Sequence, residues 1–265
     1  MYEEFYGLKE KPFSKTPDPR FLYQSSKHAE ALARLQHAVE EQEMVLLTGE
    51  IGSGKTTLSR ALIDSLDESF HPVLIINPRL SPAQLLRTVA LRLGLEDAGR
   101  NRHDILEGIH ARLYELYEDG RRTAVIIDEA QLVPGKATFE ELRLLTNFQL
   151  DERNLLALVL IGQTELKDRL SRSPYRALRQ RIGLQSHLSP LDAEETRAYV
   201  EHRLRVAGRD TPLFNLHAHA ALFHHSGGVP RLINVIAGNA LLEGFGSDAE
   251  EVGPEIIENV ARDSL

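Results

Sequence analysis

The chain has 265 residues, of which 42% are hydrophobic and 26% charged, with no cysteine and a formal net charge of −8. That length suits a three-layer α/β domain plus a smaller second one, while the lack of cysteine removes disulfides and thiolate metal sites and fits a reducing, cytoplasmic setting. The acidic balance argues against a generally basic surface that coats nucleic acid, though not against a local basic stripe. The longest apolar run, residues 155–161, is far shorter than the ~20 residues of a membrane-spanning helix. Met1-Tyr2-Glu3-Glu4-Phe5 lacks the basic-then-apolar order of a signal peptide.

Residues 1–43 open with an aromatic and proline-rich arm (Phe5, Tyr6, Pro12, Phe13, Pro17, Pro19, Phe21, Tyr23) and continue into a helix over 27–41. The arm is too apolar for a flexible tail and is expected to pack on the domain that follows. The apolar run Val45-Leu46-Leu47 then reads as a strand, and Thr57 to Leu66 as a helix. Between them lies Gly49-Glu50-Ile51-Gly52-Ser53-Gly54-Lys55-Thr56, a complete G-x-x-x-x-G-K-T phosphate loop in its strand–loop–helix context. Its glycines allow a concave backbone nest whose N–H groups, together with the helix N-terminus, face phosphate oxygens. Lys55 would reach the β- and γ-phosphates, Thr56 would coordinate Mg²⁺, and Thr57 continues the cradle. The expected ligand is a nucleoside triphosphate, with the arm either beside its adenine or serving as plain core.

A strand follows at 73–76, then a helix over 82–93 with Ser81 as N-cap, Pro82 first and Gly94 beyond its end. Another helix spans 104–118 and stops at Gly120. The next strand, 124–127, delivers Asp128-Glu129 to its carboxyl end, where α/β sheets bind ligands. Asp128 would hold the metal, and Glu129 would polarise a water against the γ-phosphate. Thr138-Phe139-Glu140-Glu141 reads as a capping box opening a helix to about 150. The strand at 155–161 ends in Gly162-Gln163-Thr164. Here Gln163, or alternatively Thr164, is placed to orient the lytic water, unless Thr164 only caps a helix over 165–170. Arg176, Arg179 and Arg181 precede a fifth strand at 182–188. One of them, with Arg181 favoured as nearest the strand, is a candidate to reach a neighbouring subunit's γ-phosphate.

After Ser189-Pro190 the strands stop and helices take over at 193–207 (behind an Asp192/Glu195 capping pair), 216–225, 230–242 and 254–261. Strands separated by helices predict a parallel sheet with helices on both faces, hence an α/β/α nucleotide-binding domain at 44–189 and an all-helical lid at 190–265. In the lid, Gly227-Gly228-Val229-Pro230-Arg231 opens a helix with an arginine in its first turn. The helix dipole disfavours a cation there, which points to a functional role for Arg231 against the nucleotide. His217, His219, His224 and His225 lack the convergence on one face that a metal needs and read as a wet helix surface.

Taken in order, these motifs resemble an AAA+ ATPase along nearly the whole chain. Within that superfamily the wording Phe5-Tyr6-Gly7-Leu8, Pro12-Phe13, Thr16-Pro17-Asp18-Pro19 and Leu22-Tyr23 resembles the ExeA/GspA group linked to type II secretion, pilus and exopolysaccharide systems. Asp128-Glu129-Ala130-Gln131 and Ile161-Gly162-Gln163-Thr164-Glu165-Leu166 support it. The resemblance implies ATP and Mg²⁺ as ligands, with Lys55 and Thr56 as the Walker A pair and Asp128 and Glu129 as the Walker B pair. It further implies Gln163 at sensor 1, where Asn or Thr is commoner, Arg181 as the arginine finger and Arg231 as sensor 2. A homo-oligomer is implied, a hexamer as ring or filament, with secretion or pilus proteins as partners at the cytoplasmic side of the inner membrane. The chain is also similar to the TniB, TnsC and MuB transposition ATPases. DNA is therefore an alternative partner, with Arg79 in the Asn77-Pro78-Arg79-Leu80 loop as the candidate contact.

Overall fold

The computed structural model describes residues 1–14, 18–97, 99–150 and 153–264. Thr16 and Pro17 of the arm, and Leu265 at the end of the expected lid, lie outside the described residues. In chain order the elements are α1 (Tyr2–Phe5), α2 (Ser26–Glu40), β1 (Met44–Gly49), α3 (Lys55–Ser65), β2 (Phe70–Ile75), α4 (Pro82–Arg92), α5 (Arg102–Glu118) and β3 (Arg122–Ile127). Then come α6 (Lys136–Leu145), β4 (Gln149–Leu150), β5 (Arg153–Asn154), β6 (Leu156–Gly162), α7 (Thr164–Ser171), α8 (Arg176–Arg179) and β7 (Ile182–Leu188). The last four are α9 (Ala193–Val206), α10 (Leu216–Ser226), α11 (Pro230–Gly246) and α12 (Pro254–Ser264). They form two compact units. The sheet unit holds Ala29–Gly49 and Leu58–Leu188; the helical unit holds Met1–His28, Glu50–Thr57 and Ser189–Leu265.

In the sheet unit five strands pair in the order β2-β3-β6-β1-β7, every pair parallel. Successive side chains of a strand face opposite ways, and β1 shows the result. Met44 and Leu46 join one core with Leu85, Val89, Ile109, Phe139 and Leu166 from α4 to α7. Val45 and Leu47 join the other with Leu35 and Val39 of α2 and Leu58 and Leu62 of α3. Both faces are thus covered, which is why the central strands read as unbroken apolar runs. This is the three-layer α/β/α sheet expected from the alternation of elements. Because all five strands run one way, β1, β3 and β6 end on the same edge, with β6 between the other two. Asp128 and Glu129 leave β3 there, Gln163 leaves β6, and β1 leads into Glu50.

Three local expectations are corrected in this unit. The helix expected from Thr138 starts earlier, at Lys136, with Gly135 at its N-cap position and no side-chain cap. Thr138 instead sits in the first turn, and its hydroxyl donates to Leu80 O at 3.3 Å. The same helix ends at Leu145, where the Thr146 hydroxyl takes the Arg143 carbonyl at 2.7 Å, a local competitor for helical bonding. Strand β4, paired antiparallel with β5, then takes the last two residues of the expected helix. Strand β2 stops at Ile75: Ile76 is 64% exposed and Asn77 turns the chain with a φ of 56°.

In the helical unit, Tyr6, Leu8, Phe13 and Phe21 of the arm share one core with Leu191, Val200, Leu204, Phe214, Leu222, Ile233, Ile236 and Ile257. The arm therefore packs with the C-terminal helices, whereas the sequence reading attached it to the nucleotide-binding core. Apolarity predicts burial but carries no address. Backbone pairing fixes the placement: Lys9 N–H donates to Ala207 O at 2.8 Å and the Tyr6 hydroxyl to Ala249 O at 3.0 Å. The buried Arg203 guanidinium donates to Pro12 O and lies 4.8 Å from the Phe21 ring centroid. Gly228 has a φ of +73°, and a Cβ there would come within 1.8 Å of Leu191 O, so only glycine fits where α11 is entered.

Candidate nucleotide-binding site

The phosphate loop belongs to the helical unit. Gly52 and Gly54 adopt φ values of +82° and +96°, so each glycine reverses the chain in the left-handed region. Ser53 N–H closes the turn on Glu50 O at 3.2 Å, and Lys55 begins α3, so the motif itself supplies the helix N-terminus. Lys55 is buried, and its Nζ donates to Glu50 O at 2.7 Å. Among the described residues the Ser53 hydroxyl, which is buried, finds no hydrogen-bond partner, an unusual state for a polar group unless a ligand completes the site. A nest bounded by Gly52 and Gly54, a buried lysine at the loop and a positive helix terminus together fit a phosphate chain. Ile51 is 61% exposed at the loop tip.

Arg231 also meets this loop. Its backbone N–H donates to Gly52 O at 3.2 Å, and a Cβ on Gly52 would lie 2.5 Å from Arg231 Cβ and 3.4 Å from its Cδ. The absence of a side chain at Gly52 is what lets the first turn of α11 approach so closely. Pro230 stands in the first turn of α11, behind the left-handed Gly227 and Gly228.

The acidic end of β3 belongs to the sheet unit. Asp128 is buried, and its Oδ1 accepts from Glu129 N–H at 2.9 Å. Glu129 is left-handed at φ 54°, a conformation that costs a non-glycine residue about 1 kcal/mol or more and that collects at functional sites. This turn brings the Glu129 carboxylate to two amides: Gln131 Nε2 donates to Oε2, and Gln163 Nε2 approaches the same oxygen at 3.4 Å. The Gln131 side chain closes the circuit, its Oε1 accepting from Gln163 N–H at 3.1 Å. Gly162 makes room for this, since a Cβ there would sit 2.9 Å from Gln131 Oε1. Thr164 is not the cap of α7; Gln163 holds that position, and the buried Thr164 hydroxyl has no partner among the described residues.

Glu129 and Gln163 are thus brought together, while Arg181 is not among them. It precedes β7, whose first residue, Ile182, pairs with Met44 at the amino edge of the sheet. Glu129 lies at the carboxyl edge, roughly 20 Å away at ~3.3 Å per strand residue. Arg181 is exposed and donates to Asn147 Oδ1 at 2.7 Å; Arg179 donates to Ser171 O at 2.6 Å, and Arg176 is exposed. Arg79 is exposed beyond β2. Of the four histidines, His225 pairs with Glu258 at 2.9 Å, and His219 is buried near Phe214, where desolvation lowers its pKa.

Two residues of these surroundings carried no role in the sequence reading. Gln131 stood only as wording shared with a family, because nothing in spacing marks a glutamine two residues past an acidic pair as its partner. His28 is the other. It is buried in the first turn of α2, with Nε2 3.0 Å from Ser53 O and Nδ1 2.8 Å from the Ser25 hydroxyl. Burial pushes its pKa below the ordinary histidine value, against the smaller opposing pulls of the Ser53 carbonyl and Glu195.

Comparison with known proteins defines the class. A family model described as AAA domain matches residues 37–170, half of the chain, and the chain belongs to that family. Its fold is that of an AAA+ P-loop nucleoside triphosphatase. It is 42% identical over 257 residues to general secretion pathway protein A of Aeromonas hydrophila, covering 95% of this chain and 46% of that protein. The chain therefore spans about half the length of the relative it matches. Among solved structures, the Aeropyrum pernix ORC2 protein in its ADPNP–ADP complexes aligns with a TM-score of 0.72 at 18% identity, over 96% of this chain and 72% of that one. Cdc6p of Pyrobaculum aerophilum gives 0.73 at 15%, over 96% and 70%. The Thermotoga maritima RuvB branch migration motor gives 0.57 at 20%, over 90% and 67%. These likenesses concern the fold.

Proposed function

We propose that this chain binds ATP in the loop Gly49–Thr57, hydrolyses it with Glu129, and couples the cycle to assembly or remodelling of a type II secretion, pilus or related envelope complex. The observation that carries the chemistry is Glu129 in its left-handed turn, its carboxylate held by Gln131 and Gln163 on the edge where β1 leads into the phosphate loop. The similarity to general secretion pathway protein A supports the envelope assignment.

In this reading the backbone N–H groups of Gly52 to Thr56 hold the phosphates, and Lys55 neutralises their charge. Thr56 and Asp128 would hold Mg²⁺, which would supply charge neutralisation for the phosphates. Glu129 takes a proton from the attacking water, and Gln163 orients that water. Arg231 contacts the bound nucleotide from α11. Arg181, at the far edge of its own sheet, acts on the site of a neighbouring copy, so turnover requires an oligomer, most simply a hexameric ring or helical filament.

That last point is tested by mixing. Arg181→Ala alone is expected to lower turnover by about 10³-fold, the effect of losing an arginine finger. Mixed in equal parts with Lys55→Ala, it regains about a quarter of wild-type turnover, since about half of the sites keep Lys55 and about half of their neighbours keep Arg181. No recovery from two folded proteins that co-assemble would rule out a shared site. Duplex DNA added to the wild-type assay should leave the rate unchanged; a severalfold rise would move the partner class from envelope proteins to DNA.

A further inference from the structure

The buried imidazole of His28 meets the phosphate loop at one atom only. Ser53 O is an acceptor, so Nε2 must carry the proton that makes the 3.0 Å contact. Burial keeps the ring neutral, which leaves Nδ1 as an acceptor for the Ser25 hydroxyl at 2.8 Å. The Ser25 oxygen in turn accepts from His28 N–H at 3.4 Å, as the cap at the start of α2. One tautomer therefore satisfies the Ser25 hydroxyl, both imidazole nitrogens and the Ser53 carbonyl. Ser25 and His28 are 2% and 4% exposed, so water does not replace either bond.

The Ser53 carbonyl and the Gly54 N–H belong to one trans peptide plane, and in such a plane the two groups point in opposite directions. Holding the carbonyl on the imidazole therefore turns the Gly54 N–H away from His28. Without that hold the plane turns more easily, because a flip changes Ser53 ψ and Gly54 φ, and glycine tolerates a wide range of φ. The packing is close: a Cβ on Gly54 would lie 3.1 Å from His28 Nε2.

We propose that His28 is a positioning residue for nucleotide binding, fixing the Ser53–Gly54 peptide so that its N–H faces the phosphates. The proposal rests on the phosphate loop holding a nucleotide. It assigns His28 to the part of the ligand that ATP and ADP share, so its loss weakens both equally.

Fluorescent ADP and ATP analogues titrated against His28→Leu and His28→Gln test this. Leucine has no donor, whereas the glutamine Nε2 reaches about where the imidazole Nε2 stands. The leucine variant should weaken both nucleotides by about tenfold, the worth of one donor preorganised toward a charged ligand, and the glutamine variant should recover to within about threefold. Unchanged affinity in the leucine variant, no recovery with glutamine, or a loss confined to ATP would each overturn the assignment. A nitrogen-15 spectrum of the nucleotide-free wild type adds a test that needs no ligand. It should show a slowly exchanging proton on His28 Nε2 and none on Nδ1; the opposite tautomer or a charged ring at neutral pH would overturn the proposal. Wild-type protein that binds no nucleotide while showing the expected tautomer would instead refute the nucleotide reading and leave the loop contact standing.

Discussion

Lys55→Ala is expected to weaken ATP binding by about 100- to 1,000-fold, some 3–4 kcal/mol at 1.4 kcal/mol per decade. The buried ammonium donates to Glu50 O of its own loop and is already ordered there. Beside a triphosphate it would make charge-assisted bonds from a side chain that is already placed. Alanine removes the cation and leaves the backbone nest, so binding falls without vanishing. ADP lacks the γ-phosphate and should lose about half as much free energy. Isothermal titration with both nucleotides reads the difference. Equal affinity for ATP in mutant and wild type would remove Lys55 from the site.

Glu129→Gln should separate binding from turnover. The two side chains have the same shape, so ATP affinity should stay within about threefold, while phosphate release falls by about 10²- to 10⁴-fold as the general base is lost. The local network tolerates the change with one adjustment. Glu129 Oε2 accepts from the Gln131 amide, so the new amide must present its oxygen there and its nitrogen elsewhere. ATP-bound protein then persists, and the assembled species should accumulate in sedimentation. Normal turnover in this variant would mean that another group activates the water.

Much of this was legible in the sequence because glycine, proline and acidic residues leave local signatures. The phosphate loop is a contiguous motif, and Asp128-Glu129 follows an unbroken apolar strand; both describe one short segment and need no partner to be recognised. The capping pair of Asp192 and Glu195 formed as read. What the sequence did not carry is long-range pairing. Nothing in residues 44–49 or 156–162 says that β6 lies between β1 and β3, the order that sets Gln163 beside the acidic strand end. The aromatic arm shows that it must be buried but not where, and its partners lie some 200 residues along the chain, as with Tyr6 and Ala249. Thr138-Phe139-Glu140-Glu141 misled because a capping pattern within the first turn of a helix looks the same as one at its start. His28 was invisible for the same reason as the strand order: its meaning is a contact with a loop 25 residues away.

The central claim is that the loop from Gly49 to Thr57 and the acidic end of β3 serve one triphosphate. A crystal structure with a non-hydrolysable ATP analogue and Mg²⁺ measures this directly. The β- and γ-phosphates are expected on the N–H groups of Gly52 to Thr56 and on Lys55 Nζ, with the metal held by Thr56 and Asp128. Nucleotide bound elsewhere, or phosphates in the loop with Asp128 and Glu129 remote from them, would contradict it.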